Sequence, residues 1–214
     1  MRSTRTRAAR RRRLGDTAIA AVTVIALGSG VWLLGGPAHT PPQPSAAESR
    51  PDPVEERLAG PSLPPSPPLR IRIPSIRVNA PLMGLGLTPS GSLDVPPAAD
   101  KNLAGWYEAG TMPGETGTAI VAGHVDNTEG PAVFYDLGAL KRGARIEVDR
   151  RDGTVAEFTV DAVEVYSARD FPDAKVYGAA HRPELRVITC GGGYSKATGY
   201  QGNVVVFAHL TGSR

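Results

Sequence analysis

Two residues of this 214-residue chain have side chains and settings suited to covalent chemistry. Cys190 is the lone cysteine, so it cannot form a disulfide within the chain. It ends the apolar run ELRVITC (184–190) and is followed by Gly191-Gly192-Gly193. A cysteine in a core sits more often within a strand. A strand-end thiol above a glycine loop is open to a substrate and to a base. His124 has a similar setting, ending the apolar run GTAIVAG (117–123) and opening the polar loop Val125-Asp126-Asn127-Thr128. Of the other histidines, His39 falls in a proline-rich stretch, His181 in a loop, and His209 near the C-terminus. A thiol beside an imidazole is the equipment for nucleophilic acyl transfer. The sulfur takes the acyl group and the imidazole moves the proton.

The elements needed to position this pair read mostly as short strands. RIRIP (70–74) and IRVNAP (76–81) alternate polar with apolar, as half-buried strands do. LMGLGLTPSGSLDVPP (82–97) reads as strand, turn through Pro89–Gly91, and strand. PAVFYDLGAL (131–140) has roughly helical spacing and reads as a short helix or turn. RIEVD (145–149) and TVAEFTVDAVEVYS (154–167) read as a hairpin with Arg151–Gly153 at its tip, and NVVVFAHL (203–210) as a closing strand. About eight short strands, little helix and Gly/Pro turns predict a closed or nearly closed all-β barrel. Cys190 and His124 are then expected at one rim.

Four stretches organise the chain. Residues 1–16 carry seven arginines against one acid, Asp16. Residues 17–36, TAIAAVTVIALGSGVWLLGG, are uncharged and long enough for a transmembrane helix. The arginines before them place the N-terminus in the cytoplasm and the rest outside. This reading is preferred to a cleaved signal peptide, because the run is long for one and no clean cleavage site follows at once. Residues 37–69 are rich in Pro, Ser and Ala and read as a disordered or extended linker. Residues 70–214 suit one domain. Setting aside the seven arginines and Asp16 leaves 17 basic and 20 acidic residues, a net charge of about −3 with His neutral. The basic balance belongs to the tail, which argues against nucleic-acid binding by the folded part.

The strings GWYEAGTMPGETGTAIVAGHVDN (105–127) and LRVITCGG (185–192) closely resemble the sortase family, over about residues 70–214. The GWY opening, the GHVD loop and the TCGG ending are most similar to class F sortases of actinobacterial type. The resemblance implies an eight-stranded sortase barrel. It implies a cysteine transpeptidase, acting as a hydrolase without an amine acceptor. That enzyme would cleave an LPxTG-like sorting signal between Thr and Gly, through an acyl-thioester on Cys190, with His124 as acid/base. The implied partners are surface proteins with a C-terminal sorting signal and an amine acceptor of the cell wall. No cofactor or metal is expected.

One departure stands out. Sortases carry an arginine on the strand after the cysteine, and the matching position here is near Asn203. Asn203 could donate through its amide. Arg186, four residues before Cys190 and on the same side of an extended strand, is the other candidate for steadying substrate and oxyanion. Asp126 could orient the histidine or bind a cation, and the preferred reading is a residue capping its own loop. Trp106 and Tyr107 read as packing residues. An L,D-transpeptidase does not fit Ile188-Thr189-Cys190. A papain-like or NlpC-type peptidase would put Cys first, on a helix. A membrane-anchored barrel that binds wall peptides without catalysis is the non-enzymatic alternative.

Overall fold

The computed structural model describes residues 40–49 and 61–214. The basic tail 1–16 and the apolar run 17–36 lie outside the described residues. No helix among the described residues is long and apolar enough to cross a membrane.

Alternation of apolar and polar residues puts one side of each strand inward, and eight strands close into a barrel. They are β1 (Pro68–Ile73), β2 (Val78–Leu85), β3 (Ala104–Tyr107), β4 (Gly117–Gly123), β7 (Arg145–Arg150), β8 (Val155–Ser167), β9 (Pro183–Ser195) and β10 (Gly199–Ser213). The order around the barrel is β1-β2-β3-β4-β9-β10-β8-β7. Two-residue strands β5 (Asp126–Asn127) and β6 (Gly130–Pro131) form a small hairpin outside it. The one α-helix among the described residues is α1 (Asp173–Tyr177). The all-β barrel expected from sequence is therefore observed. A single bridge, Leu87 to Leu93, stands where a strand over 92–97 was expected. The four-residue β3 was not anticipated. Residues 131–140 form turns and a short 3-10 turn at Leu137–Ala139.

Two apolar layers result. Ile71, Val121, Phe158, Leu185, Val187, Val206 and Leu210 fill the barrel interior, closed at one end by Phe134, Leu137 and Leu140. A second layer lies on the outer face of β4, β9, β10 and β8. It comprises Ile120, Ala122, Ile188, Val205, Phe207 and Ala162, covered by Leu85 and Leu93 from one side and Val176 of α1 from another. The connections between strands flank and cover this outer face, termed the groove.

Where it is described, the stretch before β1 packs on the barrel, with a turn at residues 45–48. Pro64 O accepts from the buried Arg150, and Leu63 N donates to Gly114 O at 2.8 Å. Farther upstream, Glu48 O accepts from Val163 N at 3.0 Å, and its Oε2 accepts from Arg142 N at 2.7 Å. The bond from Val163 covers part of the edge that β8 leaves open beyond its pairing with β7.

Candidate active site

The seam between β4 and β9 builds the site. These strands run parallel, with Gly117 opposite Pro183 and Ala122 opposite Ile188. Each pair is 66 residues apart, and His124 and Cys190 are separated by the same number. Carried two residues past the ladder, the register brings the backbones of His124 and Cys190 level with each other at one rim. Thr189 Oγ1 donates to Gly123 O at 2.8 Å and ties the strands together one residue before each. Parallel pairing does what the expected rim arrangement required, because both strands must end at the same edge.

The backbone around each residue is specialised. A Cβ at Gly123 would come within 2.7 Å of the Val133 and Phe134 side chains, so glycine lets the segment after β6 close behind His124. That segment donates Phe134 N to His124 O at 3.0 Å and Ala132 N to Val125 O at 2.9 Å. After Cys190, Gly192 and Gly193 have φ of 77° and 90°, which glycine adopts without a Cβ clash. They turn β9 aside just past the sulfur.

His124 Nε2 lies 2.6 Å from Pro96 O. A carbonyl can only accept, so Nε2 carries the hydrogen and Nδ1 is the nitrogen left to take a proton. The loop supplying Pro96 is fastened to the β5–β6 hairpin. Asn127 Nδ2 donates to Ala98 O at 2.8 Å, and Lys101 pairs with Glu129 at 2.8 Å.

Cys190 and His124 both keep partial contact with solvent. Protein still surrounds most of the sulfur, and this burial, with the Asp126 carboxylate nearby, pushes the thiol up to about 11. At neutral pH the sulfur therefore rests protonated and needs a base before it can attack.

Asp126 does not cap its own loop; Asn127 does, accepting from Glu129 N at 2.9 Å. Asp126 Oδ2 instead accepts from the Tyr200 hydroxyl on β10. Burial raises the Asp126 carboxyl, against the lowering effects of the Tyr200 hydrogen bond and of His124. Sequence reading passed over Tyr200, because no local pattern marks a contact across 74 residues.

The two arginine-position candidates occupy different places. Asn203 is paired with Cys190 across β9 and β10, so both side chains share the outer face. It is buried, and its Oδ1 has no hydrogen-bond partner. Arg186 faces the same groove four residues away, roughly 13 Å along an extended strand. It is held by Glu184 at 2.6 Å and stacked on Phe207 at 4.6 Å from the ring centre. Trp106 is buried in the barrel core and Tyr107 is half-buried beside the groove layer, as packing residues. No cluster of three metal-ligating side chains occurs among the described residues.

The Sortase domain family model matches residues 71–211. A sequence search of the curated proteins finds no match. Among solved structures, the fold is similar to sortase A from Corynebacterium diphtheriae, with a TM-score of 0.52 at 20% identity over 69% of this chain and 62% of that one. It is also similar to sortase C-1 from Actinomyces oris, with a TM-score of 0.52 at 20% identity over 67% of this chain and 73% of that one. A sortase D5 transpeptidase from Clostridium perfringens gives a TM-score of 0.50 at 23% identity over 68% and 79%. The chain spans about three fifths of the Corynebacterium protein's length.

Proposed function

Because the chain belongs to the sortase family, we propose that it is a cysteine transpeptidase of class F type whose nucleophile is Cys190 and whose acid/base is His124. The substrate is an LPxTG-like sorting signal of a surface protein, cut between Thr and Gly. The acceptor is an amine of the cell wall, and water replaces it when no amine is present. The run 17–36 anchors the enzyme in the cell membrane as a single pass, with the N-terminus cytoplasmic and the catalytic domain outside.

The shared offset of 66 between the β4–β9 register and the His–Cys spacing carries this reading. The steps balance as follows. Nδ1 of His124 takes the thiol proton, and the sulfur bonds to the threonine carbonyl carbon. The C–N bond to glycine then breaks, and its nitrogen leaves with the proton held by His124. An acyl-thioester remains. The incoming amine attacks it, gives its proton to His124, and the C–S bond breaks to restore the thiol. Asn203 is the residue proposed to stand in for the family arginine. Its Nδ2 donates to the oxyanion and its orphaned Oδ1 takes a substrate N–H. Arg186 lines the groove upstream and reaches the extended peptide there.

The test is incubation of the full chain with an LPxTG peptide and oligoglycine, followed by mass spectrometry. The expected result is peptide joined through Thr to Cys190, and then to oligoglycine. Neither adduct nor cleavage across several signal variants would overturn the enzyme. That outcome favours the barrel that only binds wall peptides, a reading kept open by the uncharged Asn203 at the arginine position.

A further inference from the structure

The pair is tied twice, once on each side. Thr189 to Gly123 lies just before the two residues. Tyr200 to Asp126 lies just after them, joining the loop that follows His124 to the hairpin that follows Cys190. The second tie also delivers a charge. We propose that Asp126, braced by the Tyr200 hydroxyl, is a positioning residue that fixes a negative charge beside the Cys190–His124 pair and so controls where their shared proton rests. The inference relies on the reading of Cys190 as nucleophile.

Two features of the molecule meet at Asp126. The first is geometric. Asp126 is half-buried and starts β5, two residues past His124. It is gripped by a tyrosine on the strand that carries Asn203. The groups facing it are Tyr200 from β10, Tyr135 from the segment after β6, Cys190 from β9, and His124 from its own loop. None of these carries a permanent positive charge, so the carboxylate acts on the pair without a competing cation. The second is chemical. A negative charge here opposes the thiolate. Burial raises the Tyr200 hydroxyl, as does its bond to Asp126, so it stays a donor throughout the working range. The arrangement keeps the sulfur neutral and unreactive at rest. Activation then waits for substrate to shield the sulfur from the carboxylate.

The experiment measures iodoacetamide alkylation of the full chain against pH. Cys190 is the lone cysteine, so the signal is unambiguous and needs no sorting peptide. Wild type, Asp126→Asn, Tyr200→Phe and the double variant are compared, with folding followed by circular dichroism. Asp126→Asn is expected to lower the alkylation midpoint by about one pH unit. Tyr200→Phe releases the carboxylate toward water and is expected to shift the midpoint the same way by less. The double variant should match Asp126→Asn alone. An unchanged midpoint in both single variants overturns the proposal, and so do shifts that add in full. Should Asp126→Asn not fold, an unchanged midpoint in Tyr200→Phe overturns it and a lowered one supports it. Failure of wild type to cleave any sorting peptide would instead sink the enzyme reading, leaving the midpoints to judge Asp126.

Discussion

Two sides of this barrel differ in how completely their buried polar atoms are paired. On the side of β1, β7 and the end of β10, arginines and carboxylates pair with each other. Arg72 grips Asp149 through two nitrogens at 2.6 and 2.9 Å and reaches Glu147 at 2.9 Å. Arg145 joins Glu147 to Glu157, and Arg214 bridges the same two carboxylates. On the groove side, Glu184 holds Arg186 and Lys175 holds Glu164, yet four buried polar atoms have no partner: Arg186 Nε, Asn203 Oδ1, and, on α1, Asp173 Oδ1 and Tyr177 OH. The one other such atom among the described residues is Arg150 Nε. A buried, unsatisfied polar atom costs about 1–3 kcal/mol. Four such atoms on one side leave hydrogen-bonding capacity unmet there. An extended peptide, with a donor and acceptor at every residue, is the ligand proposed for that side.

The largest expected break in this contrast is at the sulfur. Cys190→Ala should abolish both adduct and transfer product by mass spectrometry, because no other thiol exists to replace it. Next is His124→Ala, expected to lower kcat/KM for peptide cleavage by roughly a thousandfold, as loss of a general acid–base does. Retained adduct formation near the wild-type rate would show that another group takes the thiol proton.

The two arginine-position candidates sharpen the contrast, since one sits beside the thiol and the other down the groove. Asn203→Ala should cost about a hundredfold in kcat, the usual effect of losing one oxyanion donor. Arg186→Met should leave kcat within about threefold, or well under 1 kcal/mol. Its effect should fall on KM, because an upstream contact helps to hold the peptide without touching the reacting carbonyl. If the kcat loss appears at Arg186 instead, the guanidinium must leave Glu184 when substrate arrives, and Asn203 becomes a packing residue.

The sequence carried the rim arrangement further than the residue contacts within it. Cys190 and His124 could be singled out because each ends an apolar run and borders glycine, which are local facts. The eight-strand barrel followed from alternation. The parallel pairing of β4 with β9 was not visible, because a strand's own pattern says nothing of its neighbour's direction. The spacing of 66 has meaning once that direction is known. The four residues of β3 are too few to show a period, and α1 has five residues and no capping side chain. The Tyr200–Asp126 contact joins the starts of β10 and β5 through tertiary closure alone. Asn203 was found by counting along the closing strand, and its pairing with Cys190 follows from the short β9–β10 hairpin.

The smallest expected effect lies on the self-paired side, and it checks the other half of the contrast. Glu147 is nearly buried, which by itself would raise its carboxyl. Hydrogen bonds from Arg214 and Arg72, with the charge of Arg145, bring it below the ordinary carboxylate range. A carboxyl lowered on folding stabilises the native state above its unfolded pKa. That contribution is lost as pH falls through the lower, folded value. Glu147→Gln should therefore reduce stability at pH 7 by about 1 kcal/mol, the scale of a partly exposed ion pair. The gap in Tm between variant and wild type should close as the buffer is taken down into the acid range. Peptide cleavage at pH 7 should be unaffected, since the ladder and the groove lie on different faces. A gap that persists in acid would mean that Glu147 acts through packing, and its arginines would then have to be read as a solvated surface rather than as a set of satisfied charges.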